Sequence, residues 1–453
     1  MLVFYVTAAM HFDYTPDGTY IYLQYGKNIA HGDGFAFNAG LPSNGVTAPL
    51  WTLLISAGVA LGLDPYIVAK TFDLVFGSIA IALVYMLTFL VTHDKRYAVL
   101  AAVIVSFDSW LLRWAGTGME SSFAVVLTLL CFLYTYRNEY HLAALAAGLL
   151  TLVRPEGALL FLAIQVDNFL NTTQLRPALR SFLLSSGIFA LVVLPWILFS
   201  VFYFGAVLPE TAATASTKGS WVVEFFTAII SAFQVLGMTQ ALCLAAAGIG
   251  FVVALQYEGW KAVRLDVSAF LWVFGLPLAY AVLNIRVVSR YLLLIVPLVV
   301  IYGLWGSKKI GESRKFSDRS TLALAVLVTV LSVGVNQYVY RAHVVPHMSR
   351  YVEGMNDGLR SVAYWLREHT NPETTVLASD IGLVGYVSER RTLGINAQVK
   401  MPHAAEAEYI VDRSPEPQRL ASDALQPVMT KEFSSMSVTE PGTVYYTLYK
   451  VAR

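Results

Sequence analysis

Charge is scarce in this sequence. Of its 453 residues 13% are Asp, Glu, Lys or Arg, where a soluble globular chain carries about a quarter, so an ordinary hydrated surface is excluded. Charge of one sign is scarcer still: 31 basic residues meet 30 acidic ones for a net charge of +1, and no field invites nucleic acid. Cysteine occurs twice, at Cys131 and Cys243, each inside an apolar run. That excludes a disulfide framework or zinc cluster, and both read as small core hydrophobes. No Gly-rich nucleotide loop follows a strand pattern. There is no repeat at solenoid period and no low-complexity tract. Nothing resembles a cleaved signal peptide, and the opening LVFYVTAAM is short for a span, so the first helix is expected to be truncated or to enter the bilayer part-way.

What takes the place of charge is apolar. Hydrophobic residues make up 57% of the chain, and mean hydropathy is +0.59. Runs such as 181–204 and 320–338 have the roughly 20 residues needed to cross a bilayer. A polytopic membrane protein follows. Candidate spans are 1–12, 66–91, 97–112, 119–136, 141–153, 157–170, 181–204, 239–256, 267–284, 288–306 and 320–338.

Two further apolar stretches, 48–63 and 221–238, are decided by the basic residues. Lys95–Arg96, Arg137, Arg176/Arg180, Lys261/Arg264 and the run 307–319 should all face the cytoplasm. They do so only if 48–63 and 221–238 lie in the outer interface. The expected fold is an all-α membrane domain of about eleven transmembrane helices plus interfacial helices, over 1–339, with outer loops 13–65 and 205–238. A small extracytoplasmic α/β domain follows over 340–453. In it 349–369 reads as an amphipathic helix, and 374–379 and 443–451 read as strands. This places the protein in the plasma membrane with the N-terminus inside and the C-terminus outside.

The first outer loop, rich in Gly, Asn, Asp and aromatics, is where function is expected, since long structured loops are usually functional. Asp13 and Asp17 follow the first helix at the outer surface. A carboxylate there can take a proton from an acceptor hydroxyl; the plainer reading is two solvated caps. Asp108, near the outer end of its span, is placed to line a cavity, and Asp73 lies deeper in its own. His343 and His347 share a helical face, but no ligand motif accompanies them.

Asp17, Tyr20, Ile21, Asn28, Gly32, Gly34, Phe37, Asn38, Gly40, Gly45, Thr47, Leu50 and Trp51 match, in order, the first loop of the GT-C membrane glycosyltransferases. The chain is most similar to the branch that contains the mycobacterial terminal arabinofuranosyltransferases. Gly118–Glu120, Arg154–Gly157, Tyr203–Gly205, Leu208–Thr211, Arg290–Tyr291 and Asp380–Gly382 continue the resemblance through nearly the whole chain. It implies an inverting glycosyltransferase. The donor would be a polyprenyl phosphate sugar and the acceptor a hydroxyl of an extracytoplasmic glycan, lipid or protein. Asp17 is then the catalytic base, with Tyr20, Asn28, Arg290 and Tyr291 at the substrate.

The sequence departs from the pattern at Gly18, where the second acid of an Asp-Asp pair is missing, and at Glu210 and Gly394. The first departure removes the paired carboxylates that would call for a divalent metal, although Asp13 stands near. No cofactor is expected. By the span assignment Arg113, Glu120, Arg154, Glu156, Glu210, Lys218, Arg286 and Arg290 also fall at or near the outer face. Arg113, Arg154 and Arg290 run against the positive-inside trend. They either hold an anion such as a lipid phosphate or pair with Glu120 and Glu156. The rival class, a transporter or flippase with an outer sensing domain, needs charges near the bilayer midplane, and the sequence has few there.

Overall fold

The computed structural model describes residues 1–172, 174–207, 221–259, 267–285, 287–395, 407–436 and 441–452. The chain opens with α1 (Leu2–Ala9), and α2 (Asp17–His31) and α3 (Pro49–Ala60) lie in the first loop. Then come α4 (Pro65–Thr92), α5 (Lys95–Ser106), α6 (Ser109–Trp114), α7 (Ser121–Tyr136), α8 (Tyr140–Thr151), α9 (Gly157–Asn171) and α10 (Leu175–Phe204). After them follow α11 (Trp221–Glu258), α12 (Val267–Val282), α13 (Ser289–Leu292), α14 (Val296–Ser313) and α15 (Asp318–Val339).

Short polar caps set these boundaries. Asp64 accepts from the Ile67 amide at 3.0 Å ahead of Pro65. Asp94 does the same for Arg96 at 2.8 Å. Such side chains satisfy amides that a helix start leaves without partners.

Among the described residues four helices are long and apolar enough to cross a membrane: Pro65–Thr92, Leu175–Phe204, Trp221–Glu258 and the continuous run Asp318–His369. Other apolar helices, among them α3, α7, α8, α9 and α12, are shorter. The stretch 221–238 is not a separate interfacial helix. It is the first half of the 38-residue α11, about 57 Å long at 1.5 Å per residue, because nothing between 221 and 258 breaks a helix. Likewise the expected span 320–338 and the amphipathic 349–369 are one rod. Two π-helical segments, Tyr340–Val344 and Met355–Arg360, join α15 to α16 (Val345–Gly354) and α17 (Ser361–His369). The expected span 97–112 is broken at Asp108 between α5 and α6.

The tightest helix pair is α11 against α14. A Cβ on Gly306 would collide with the Ala246 carbonyl, and one on Gly250 with the Gly306 backbone. Small residues let the backbones touch, the usual source of association where lipid replaces water. Basic loops gather at one end of the bundle. There Arg96 bridges Asp94 (2.7 Å) and Asp318 (2.8 Å), Lys309 meets Glu258 (2.6 Å), and Lys308 donates to the Thr92 carbonyl (2.7 Å).

The C-terminal domain holds one five-stranded sheet in the order β2-β1-β3-β5-β4. Its strands are β1 (Thr375–Ala378), β2 (Arg391–Gly394), β3 (Tyr409–Ser414), β4 (Leu425–Met436) and β5 (Pro441–Val451). Strand β1 is parallel to β2 and β3, while β5 is antiparallel to β3 and β4. Helix α18 (Ile381–Ser388) is the crossover from β1 to β2. Strands β1 and β5 fall where alternation predicts them; β2 is four residues long and gives no such signal.

This domain sits on the first loop. Asn38 exchanges both amide groups with the Thr392 backbone (3.0 and 2.9 Å), closing the β2 edge. Lys27 meets Glu389 at 3.6 Å, and Arg360 donates to the Tyr20 hydroxyl at 2.6 Å.

Candidate active site

Two polar groups of side chains lie near the start of α2. The first begins at Arg154, held by Pro155 in the tight turn between α8 and α9. Its guanidinium donates to Glu120 at 3.1 Å and to Glu156 at 3.1 Å. Each acid stands at the N-cap of a helix, α7 or α9, where the helix dipole favours negative charge. Tyr280 of α12 donates to the same Glu156 oxygen at 2.5 Å. Arg154 is buried, so its charge is compensated in place; a buried charge persists only when paired.

Arg290 of α13 is different. It donates to the Met119 sulfur (3.0 Å) and the Tyr291 hydroxyl (3.4 Å), and it stacks on the rings of Tyr291 (5.1 Å) and Trp114 (5.9 Å). Arg113 also stacks on Trp114, at 5.1 Å, and reaches Tyr14 (3.3 Å) and His347 Nδ1 (3.5 Å). Burial first, and then the Arg113 charge, push His347 down to about 4, which leaves it a neutral neighbour. Neither Arg113 nor Arg290 has a carboxylate partner among the described residues. Their Nε atoms and one oxygen each of Glu120 and Glu156 are buried without a hydrogen bond. Two half-buried guanidinium groups without an ion pair among the described residues are suited to an anion.

The second group is Asp17. Its two oxygens accept from the amides of Leu383 (2.7 Å) and Gly382 (3.1 Å) at the N-terminus of α18. Burial, and after it the nearby Asp380, push its carboxyl up to about 7 against the pull of those amides and Arg413. Gly18 links the two groups. A Cβ there would meet the Met119 methyl at 3.3 Å, and the Met119 sulfur receives Arg290. Met119 fills the space a second acid at 18 would need.

The other expected site residues are distributed as follows. Tyr20 lies beside Asp17 and receives Arg360. Tyr291 carries Arg154 (4.6 Å) as well as Arg290 on its ring. Asp13 is exposed and makes no hydrogen bond or ion pair through its carboxylate among the described residues. Asn28 braces the loop, donating to the Ala36 and Phe37 carbonyls at 2.9 Å each. Asp108 caps α6 through the Trp110 and Leu111 amides and takes Gln240 at 2.7 Å. Lys218, like Glu210 and Arg286, lies outside the described residues.

Sequence reasoning passed over Lys70. It donates to the carbonyls of Phe12, Tyr14 (3.1 Å) and Gly116 (2.9 Å). One turn on, Asp73 accepts from Thr117 (3.2 Å) and the Gly118 amide (3.1 Å). Together they fix the 116–118 turn that presents Met119 and Glu120. A lysine one turn from an aspartate inside an apolar run was the available signal. Trp114 and Tyr280 carried none. No group of three His, Cys, Asp or Glu placed to hold a metal ion occurs among the described residues.

The whole chain superposes on ArnT from Cupriavidus metallidurans. The apo form gives a TM-score of 0.59 at 13% identity, covering 98% of this chain and 97% of that one. The form bound to undecaprenyl phosphate gives 0.60 at 14%, covering 98% and 96%. The chain has the GT-C fold. The oligosaccharyltransferase of Archaeoglobus fulgidus, solved with zinc and sulfate, is also similar in fold (TM-score 0.59, 14% identity), over 90% of this chain and 67% of that one. Residues 347–433 match a family described as a domain of unknown function (DUF8728). They lie in the part of this GT-C fold that rests on the first loop. No curated protein matches the sequence.

Proposed function

We propose that this protein is a membrane glycosyltransferase that moves a sugar from a polyprenyl phosphate carrier to an acceptor hydroxyl with inversion. The observation that carries this reading is the pair Arg113 and Arg290, stacked on Trp114 without an ion pair among the described residues, with Arg290 joined through Met119 to Gly18 beside Asp17. In the transfer the acceptor oxygen bonds to the anomeric carbon, and its proton passes to Asp17. The bond from that carbon to the phosphate oxygen breaks, and the carrier phosphate leaves with the electron pair. Arg113 and Arg290 stabilise the charge that grows on it. Arg154, already paired, holds Glu120, Glu156 and Tyr291 in place. That the ArnT relative is solved with undecaprenyl phosphate supports the same donor class here.

Purified protein incubated with a panel of polyprenyl phosphate sugars and simple hydroxyl acceptors should release free polyprenyl phosphate from at least one donor. Folded protein that releases it from none would overturn the assignment.

The orientation belongs to the same proposal. The gathered Lys and Arg residues belong in the cytoplasm, and the site and the C-terminal domain outside, with the roughly eleven spans made from the four long helices and the shorter apolar ones. A membrane-impermeant thiol reagent applied to intact cells should label Leu420→Cys and spare Glu312→Cys. The opposite pattern reverses the orientation.

A further inference from the structure

Asp17 and Asp380 meet at one helix end from distant parts of the chain. Asp380 is the residue that precedes α18, the helix whose amides hold Asp17. Its own carboxylate is turned toward the sheet. One oxygen accepts from the Tyr446 hydroxyl at 3.1 Å, and the other pairs with Arg413 at 3.7 Å. Gly382 permits the approach: a Cβ there would collide with the Asp17 backbone carbonyl.

We infer that Asp380 is a positioning residue for the Asp17 base, so that the C-terminal domain supplies part of the reaction site. The inference rests on the transfer reading above and on Asp17 as its base. The two amides fix the direction of the Asp17 carboxylate, and each of its oxygens keeps a second lone pair for a proton. The negative charge of Asp380 beside it disfavours the ionised form and strengthens it as a base. Tyr446 and Arg413 hold the Asp380 carboxylate turned toward the sheet. The charged and titratable groups that face Asp17 are Asp380 and Arg413, with the phenols of Tyr20, Tyr351 and Tyr446 around them. A base pushed up to about 7 lies near neutral working pH, where general-base catalysis is most effective.

Two measurements on the full-length detergent-solubilised protein test this. The first is the pH–rate profile of transfer. The wild type should lose rate as pH falls through about 7, the value to which Asp17 is raised. Asp380→Asn removes the like charge, and its acid limb should move down by roughly one pH unit. A lowered plateau with an unmoved limb would make Asp380 merely structural and overturn the inference.

The second is the thermal midpoint against pH, which needs no substrate. A carboxyl raised in the folded state contributes stability that is complete below its unfolded pKa of about 3.9 and lost as pH rises through the folded value. The difference in midpoint between wild type and Asp17→Asn should therefore change between about pH 4 and 7. In the Asp380→Asn background that change should shrink. If it does not, the two carboxylates are uncoupled and the inference fails even where transfer is observed. If it shrinks while no donor supports transfer, the coupling stands and the reaction role of both residues is withdrawn.

Discussion

Asp17→Asn is expected to lower sugar transfer by about 10²–10⁴-fold, the usual cost of losing a positioned general base. The change preserves size and keeps one oxygen for an α18 amide. The C-terminal domain should therefore stay seated, as limited proteolysis in detergent would show. Gly382→Ala is the contrasting variant. Its Cβ would collide with the Asp17 carbonyl, so it should expose the domain junction to protease whatever it does to the rate. Asp13→Asn should do far less, because Asp13 is exposed and stands outside the amide-bound position. Near-normal turnover in Asp17→Asn, or a larger loss in Asp13→Asn, would show that the base lies elsewhere. If Asp17→Asn and Gly382→Ala undock the domain equally, Asp17 is a latch.

The second large effect concerns the phosphate. Arg290→Ala should reduce kcat by about 10²–10³-fold, the cost of deleting one donor aimed at developing charge. Arg290→Lys should recover only part of the loss, since a point charge does not reproduce the flat fork or its stacking on Tyr291 and Trp114. Arg154→Ala should fail differently. Removing it leaves Glu120 and Glu156 buried without a counter-charge, which costs about 3–5 kcal/mol, so folded protein and thermal midpoint should fall first. A lowered thermal midpoint for Arg290→Ala with a normal rate would return Arg290 to a packing role. A stable Arg154→Ala protein with only a rate defect would exchange the two assignments.

These contrasts separate residues that look alike in the sequence. Arg113, Arg154 and Arg290 are three basic residues on the side where few are expected, and two outcomes were open for them, an anion or pairing with Glu120 and Glu156. Both occur. Arg154 is neutralised because the tight turn at Pro155 places it between two helix N-caps. Arg290 and Arg113 are left with aromatic rings and a thioether. Asp108 and Asn28 were equally plausible as site residues; in the structure one caps a helix and the other braces a loop. A polar side chain's partners depend on what the fold brings within 3 Å, and spacing along one helix does not report that.

By itself the sequence determined the properties that depend on composition and period. Long apolar runs and scarce charge require a bilayer, because the hydrophobic effect leaves such helices no stable place in water. The gathering of Lys and Arg into a few loops assigns those loops to one side. The alternating tail marks where a small sheet belongs. Tertiary structure alone decided where continuous helices end, since α11 and the rod from Asp318 to His369 cross boundaries drawn from charge counts. It also decided which distant side chains meet. Asp17 and Gly382 lie 365 residues apart, and the departure at Gly18 is filled by Met119 from another turn. Such meetings are set by the packing of distant elements, where each contact is short-ranged and no local pattern of residues encodes it.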